Sequence, residues 1–362
     1  MYNIEQILRS AVDKGATDAF ILSGSPVAFK ISGEVIPQAE EPVTPVVSEQ
    51  LIHSIYEIAH RPISRLIATG DDDFAFFISG LSRFRISAYK QRGTLAAVIR
   101  VISFAIPDAA ALGIPGRVIH SVDKKAGLVL VTGPAGSGKS TTLSCMIDYI
   151  NSTRGGHIIT LEDPIEYLHK NKRSIVSQRE ISLDTGSYVD ALRACLRQAP
   201  DVILVGEMRD FETIQTVMTA AETGHLVIST LHTIGAADTI DRIVDVFEPT
   251  QQRQIRVQLA MLLQSVISQQ LLIGLDGKLH PAFEIMHTNT AIRTMIRESK
   301  THQIDSAISA GADCGMITMD AGILSLVAGG VVSPEVAMHF AGNAEMMERR
   351  IAALAAGGGT RS

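Results

Sequence analysis

The chain has 362 residues, 46% of them apolar and 19% charged, with a formal net charge of −6. That length accommodates two domains with a sizeable core, and the acidic balance argues against nucleic acid or an anionic membrane surface as the main partner. Three scattered cysteines, Cys145, Cys195 and Cys314, form no C-x-x-C pair, which argues against a disulfide framework or zinc site and fits a reducing compartment. Met1–Ser10 carries Glu5 and Arg9 and has no apolar h-region, and no apolar run approaches the ~18 residues of a membrane span. A soluble, cytoplasmic protein is expected, one that reaches a membrane only through a partner.

Ile4, Ile7, Leu8 and Val12 recur at helical spacing, and Gly15 ends that helix. Phe20–Leu22 and Val27–Phe29 are predicted strands, with a turn at Ser32-Gly33 and a second helix from Ser48 to Ala59. Phe74–Ile78 reads as a strand. In the next one, Phe84, Ile86 and Ala88 alternate with Arg83, Arg85 and Ser87, so the two arginines share a face. Gln91-Arg92-Gly93 is a hairpin turn, and Leu95–Ile102 returns. Residues 1–104 are thus an α+β domain, and 105–116, with Pro107 and Pro115, a linker or hinge.

From Arg117 the pattern becomes strand, helix, strand. Short apolar strands at Leu128–Thr132, His157–Leu161, Val202–Val205 and Leu226–Thr230 are separated by helices Thr141–Ile150, Val189–Arg197 and Glu212–Thr223. Such alternation predicts an α/β core, residues 117–275, built on a parallel sheet with right-handed crossovers. After about Gly274 strands are expected to stop. Residues 276–355 read as helices at Thr290–Glu298, Gln303–Ala310, Thr318–Ala328 and Ala344–Ala355, and 356–362 as a glycine-rich mobile tail.

Ligands of a parallel sheet gather at the carboxyl ends of its strands. After the first core strand comes Gly133-Pro134-Ala135-Gly136-Ser137-Gly138-Lys139-Ser140, followed by Thr141 and a helix. This fits G-x-x-x-x-G-K-[ST]: glycines curl the backbone so that N–H groups cradle phosphate, Lys139 reaches the outer phosphates of ATP, and the Ser140 hydroxyl holds Mg²⁺. The helix N-terminus adds its dipole. Val202–Val205 ends at Gly206-Glu207, like a Walker B element whose Glu207 carboxylate orients the metal; a strand-end acid pairing with Arg209 is the plainer reading. Glu162, Glu166 and Glu207 are all candidates to orient an attacking water. His232 follows the fourth strand at its carboxyl end and suits a γ-phosphate contact, whereas His225 lies at the far end and suits a structural role. Arg83, Arg85, Arg92 and Arg100 are either a solvated strand face and turn or a source of charge for a transferring phosphoryl group. Arg293 and Arg297, four apart, read as a solvated basic face of an amphipathic helix.

With these residues assembled, the chain resembles the secretion and pilus motor ATPases, and within them the PilT-type pilus retraction ATPases. The matching boxes occur in family order: the phosphate loop, Leu161-Glu162-Asp163-Pro164-Ile165-Glu166, Leu204–Asp210, Thr223–Thr233, Thr239–Arg242 and Gln264–Gln269. Ala291–Glu298 is similar to the "AIRNLIRE" element associated with retraction, with Thr294 and Met295 in place of Asn and Leu. By this resemblance the core is RecA-like and the first domain PAS-like. Glu166 takes the place of the catalytic glutamate, Glu207 that of the Walker B acid, and His232 that of the residue near the γ-phosphate. Arg83 to Arg92 match a region that reaches nucleotide in closed subunit arrangements. The resemblance further implies a homohexamer that turns ATP hydrolysis into motion of an inner-membrane platform protein. An assembly or secretion ATPase of the same superfamily, or an ATP-binding scaffold with little turnover, shares these features.

Overall fold

The computed structural model describes residues 3–31, 33–102 and 106–357, with side chains through residue 354. Ser32 of the expected turn, residues 358–362 of the expected tail and the 104/105 boundary lie outside the described residues. The chain divides into two compact units: Met1–Ala105 with Glu166–Leu168, and Ile106–Ile165 with His169–Ser362.

In the first unit, α1 (Ile4–Asp13) precedes β1 (Asp18–Ile21), β2 (Ala28–Ile31) and β3 (Glu34–Pro37). Helices α2 (Pro45–Ile58) and α3 (Ser64–Thr69) lead to β4 (Asp71–Ile78), β5 (Ser82–Gln91) and β6 (Thr94–Ile102). The strands form one antiparallel sheet in the order β3-β2-β1-β6-β5-β4. On β5 the period of two holds: Phe84, Ile86 and Ala88 are buried while Arg85 and Ser87 are exposed. The β5–β6 turn places Arg92 and Gly93 at φ 50° and 79°, the left-handed pair that matches strand twist in a two-residue hairpin. Neither β3 nor α3 was expected; every residue of β3 is exposed, so no apolar periodicity marks it.

A polar cluster fixes the rim of this core. Asp72 is buried and accepts from Tyr56 Oη (3.0 Å), Arg61 Nε (2.9 Å) and Arg61 Nη2 (2.8 Å), while the guanidinium stacks 5.0 Å from the Phe74 ring centroid. Burial pushes the Asp72 carboxyl up, but the bonds from Arg61 and Tyr56 outweigh it and hold it below the usual carboxylate range. A depressed folded pKa means that this cluster stabilises the unit fully above the unfolded value of about 3.9 and loses that contribution as pH falls through the folded one. Asp72→Asn is expected to cost about 3 kcal/mol at neutral pH, the low end for a broken buried pair because Arg61 retains access to water. Urea titrations at pH 7 and at pH 3 check this: the gap between wild type and variant should narrow at the lower pH.

The second unit begins with α4 (Gly116–Ile119), β7 (Gly127–Thr132), α5 (Lys139–Thr153), β8 (His157–Glu162), β9 (Ile175–Glu180) and α6 (Tyr188–Cys195). It continues with β10 (Val202–Val205), α7 (Phe211–Glu222), β11 (Leu226–Leu231), α8 (Ala236–Asp245), α9 (Pro249–Leu262), β12 (Leu263–Ile273) and β13 (Leu279–His287). Five helices close the chain: α10 (Thr290–Arg297), α11 (Ile304–Ala310), α12 (Met319–Ala328), α13 (Pro334–Phe340) and α14 (Ala344–Gly357). The seven strands run β13-β12-β7-β11-β10-β8-β9, parallel from β12 to β9, with β13 antiparallel at one edge. Every residue of β7, β10 and β11 is buried, which is why these strands read as unbroken apolar runs.

One expectation is corrected here. Strands do not stop at Gly274: β12 and β13 form a long hairpin around it that adds two strands to the sheet. The segment Pro107–Pro115, read as a linker or hinge, is packed within its unit. Ile114 is buried in the core beneath α5, and the Cys145 thiol bonds the Pro107 carbonyl at 3.3 Å.

Candidate functional site

Strand order decides what meets at the sheet's carboxyl edge. Because β11 lies between β7 and β10, the histidine that follows β11 sits between the loop after β7 and the acid after β10. The loop needs its glycines. Gly133 has φ 138°, and a Cβ there would come within 2.2 Å of the Gln269 carbonyl oxygen on β12. A side chain at Gly133 would therefore push the loop off the sheet. Lys139 opens α5 and arches back over the loop, its Nζ donating to the carbonyls of Gly133 (2.8 Å) and Pro134 (2.9 Å).

From Lys139 a polar chain runs along the edge. Its Nζ lies 3.5 Å from His232 Nδ1, His232 Nε2 lies 3.3 Å from Glu207 Oε2, and the same oxygen takes Arg209 Nε at 2.6 Å. The strand-end ion pair Glu207–Arg209 is thus present, and one carboxylate oxygen serves both Arg209 and His232. Thr230 Oγ1 donates to the Gly206 carbonyl (2.6 Å) and Met208 N to the Thr230 carbonyl (3.0 Å), which fixes the two strand ends to each other. Pro134, Ala135, Gly136 and Ser140 are exposed, so the loop and the first turn of the 15-residue helix it enters are open to solvent.

The other acids divide. Glu162 is held against the sheet, accepting from Thr160 Oγ1 (2.6 Å) and Gln178 Nε2 (3.2 Å). Glu166 is exposed and belongs to the first unit, as do Arg83, Arg85 and Arg92; the phosphate loop, Glu207 and His232 belong to the second. The excursion of residues 166–168 is tied at both ends by β9, through Ile165 N to Glu180 Oε2 (3.0 Å) and His169 N to Gln178 Oε1 (2.8 Å). Arg100 pairs with Asp18 at 3.0 Å. His225 has the structural place expected of it, its Nδ1 3.0 Å from the Ala220 carbonyl at the end of α7. Asp210, beside the Walker B-like segment, caps α7 by accepting from Thr213 N at 2.9 Å.

Sequence reasoning gave no role to the polar stripe of β12, although Gln264–Gln269 is one of the matching boxes. Gln269 is buried behind the loop, and its Oε1 accepts from Thr142 Oγ1 of α5 at 2.7 Å. A run of Ser265, Ser268, Gln269 and Gln270 inside an otherwise apolar stretch was the available signal, since buried polar side chains need partners. Arg293 departs from its expected solvated face. Its Nη1 bonds the carbonyls of Ala260 and Met261 (2.8 Å to the latter) in the last turn of α9, while Arg297 remains exposed. A cation there satisfies orphan carbonyls and complements the helix dipole. Arg293→Ala is expected to cost about 1–2 kcal/mol, and lysine to recover part of it, in urea unfolding of the full chain.

A parallel sheet whose inner strand delivers a glycine loop into a helix N-terminus, with acid and histidine on the neighbouring strand ends, defines a P-loop nucleotide-binding protein of the α/β class. The chain belongs to the type II/IV secretion system protein family, whose sequence profile matches residues 1–314. It is 44% identical over 338 residues to the type IV pilus retractation ATPase PilT of Pseudomonas aeruginosa, covering 92% of this chain and 96% of that one. A twitching motility protein of Neisseria gonorrhoeae is 49% identical over 276 residues, covering 76% and 74%. In structure it is similar to the pilus retraction motor PilT with bound ADP, with TM-score 0.89, 44% identity, and coverage of 96% of this chain and 100% of that one. Among the described residues no helix is long and apolar enough to cross a membrane.

Proposed function

We propose that the chain is an ATP-hydrolysing motor that drives type IV pilus retraction, and with it twitching motility. The observation that carries this reading is the continuous contact from the loop lysine through His232 to Glu207, which brings the ends of three neighbouring strands together on one sheet edge. The near full-length similarity to retraction motors supports the choice among motor tasks. Residues 133–141 hold the triphosphate. Ser140 and Glu207 supply hard oxygen donors suited to Mg²⁺, which when bound neutralises charge on the transferring phosphoryl group. Among the described residues no group of three or more His, Cys, Asp or Glu is placed to hold a metal ion, so such a cation would take most of its ligands from phosphate and water.

In this reading Glu166 orients the attacking water, and one or more of Arg83, Arg85 and Arg92 neutralise charge on the transferring group. Both belong to the first unit, whereas the phosphate loop, Glu207 and His232 belong to the second. The working form is a homohexamer at the cytoplasmic face of the inner membrane, engaging a platform protein, with residues 105–116 as the hinge between the first domain (1–104) and the core. Steady-state phosphate release from intact rings tests the enzyme, and a deletion strain tests the task. Hyperpiliated, non-retracting cells support retraction. Bald cells would point to assembly, and rings that bind ATP but release no phosphate would point to a scaffold.

A further inference from the structure

The histidine loop is only four residues long, from His232 at the end of β11 to Gly235 before α8, and it hangs from two side chains of the β12–β13 hairpin. Ser268 on β12 and Glu284 on β13 are directly opposite each other in the antiparallel register. Both are buried. Ser268 Oγ accepts from Gly235 N at 2.9 Å, and Glu284 Oε1 accepts from the next amide, Ala236 N, at 2.7 Å. A cross-strand pair thus receives two successive backbone N–H groups. The loop is braced internally as well: Thr239 Oγ1 donates to the Gly235 carbonyl at 2.6 Å and lies 2.7 Å from Thr233 Oγ1.

The second carboxylate oxygen of Glu284 turns the other way. Oε2 accepts from Met319 N, the first residue of α12, at 3.3 Å. Helix α12 can lie this close because Gly322 faces the backbone of Phe283, where a Cβ would stand 2.5 Å from the carbonyl oxygen. One buried carboxylate therefore sits at the N-termini of two ten-residue helices, α8 and α12, where the aligned peptide dipoles favour negative charge. An acid at this depth is retained only if its oxygens are satisfied, and both are.

We propose that Glu284, with Ser268, is a positioning residue for the ATPase reaction: it sets the backbone of the loop that presents His232 to the γ-phosphate and fastens that loop to the first turn of α12. The proposal rests on the assignment of His232 to the γ-phosphate. In a loop of four residues, losing either anchor lets the histidine shift by an ångström or more, and misplacement on that scale is enough to slow chemistry without touching the phosphate cradle.

The test uses intact rings of the full chain and four variants: Glu284→Gln, Ser268→Ala, His232→Ala and the double variant Glu284→Gln/His232→Ala. Glutamine keeps one acceptor but turns an N–H toward a backbone N–H. About a 10-fold fall in kcat is expected for Glu284→Gln and a several-fold fall for Ser268→Ala. Affinity for a fluorescent ADP should stay within about twofold of wild type, because ADP has no γ-phosphate, whereas affinity for ATPγS should weaken. A purely structural role would lower the melting temperature and the folded fraction but leave kcat per folded ring and the ATPγS-to-ADP affinity ratio unchanged, and that result overturns the proposal. If Glu284 acts through His232, the double variant turns over no more slowly than His232→Ala alone. Full additivity of the two losses would sink the proposal while leaving the His232 assignment standing. An unimpaired His232→Ala protein would instead remove that assignment, and the proposal with it. Should Glu284→Gln fail to fold, Ser268→Ala decides: it removes one hydroxyl and no charge, and wild-type kcat there overturns the positioning role.

Discussion

Replacing Lys139 with alanine is expected to lower ATP turnover by at least about 10²–10³-fold while leaving the protein folded. The size follows from what the ammonium does. Removing a single preorganised donor from developing phosphoryl charge costs about that much, and here the donor carries a full charge at the mouth of a helix dipole. The structural cost is small because Lys139 Nζ donates to the carbonyls of Gly133 and Pro134, and Pro134 is exposed, so water can replace the lost donor there. His232 stays in place through its contact with Glu207 and the anchors of its loop. Melting temperature should therefore move little, fluorescent ATP should bind more weakly, and phosphate release should fall to background. A Lys139→Ala protein that hydrolyses ATP at the wild-type rate would mean that the nucleotide is bound elsewhere.

What could be read from the sequence follows from which elements are buried on both faces. Strands β7, β10 and β11 are fully enclosed, so they read as apolar runs, and the glycine loop after β7 announces itself by its spacing of glycines, lysine and serine. The hairpin of β12 and β13 was hidden because its interior carries the polar side chains that serve the site: Gln269 for α5, Ser268 and Glu284 for the histidine loop. A polar residue at every such position breaks the apolar pattern by which a strand is recognised. Strand β9 was hidden for a related reason. It is an edge strand whose Gln178 and Glu180 bind backbone amides of the segment around residues 165–169. Helix α9 was obscured by the run Gln251-Gln252-Arg253-Gln254, which presents little apolar face. The polar support behind the sheet edge was thus the part that pattern could not reveal. Nor could spacing choose between Glu162 and Glu166, which are only four residues apart, because the chain changes unit between them.

That change of unit gives the second large expected effect. Glu166→Gln should bind ATP with near wild-type affinity and lose about 10²–10⁴-fold in turnover, the range for removing a group that orients and deprotonates an attacking water. Glutamine keeps the shape and one acceptor of the side chain but has no basic oxygen to receive a proton. Because Glu166 is exposed and its neighbours Ile165 and His169 are held by β9 through their backbone amides, the substitution should leave stability unchanged. Glu162→Gln is the control. Its Oε1 accepts from both Thr160 and Gln178 on the sheet, and a glutamine oxygen there would accept the same bonds without charge assistance, so a modest loss of stability with turnover within a few-fold of wild type is expected. Nucleotide binding and single-turnover phosphate release on both variants separate the two roles. If Glu162→Gln abolishes turnover and Glu166→Gln does not, the base lies on the sheet itself. The attacking water would then be oriented by an acid of the second unit, and Glu166 would have no part in the chemistry.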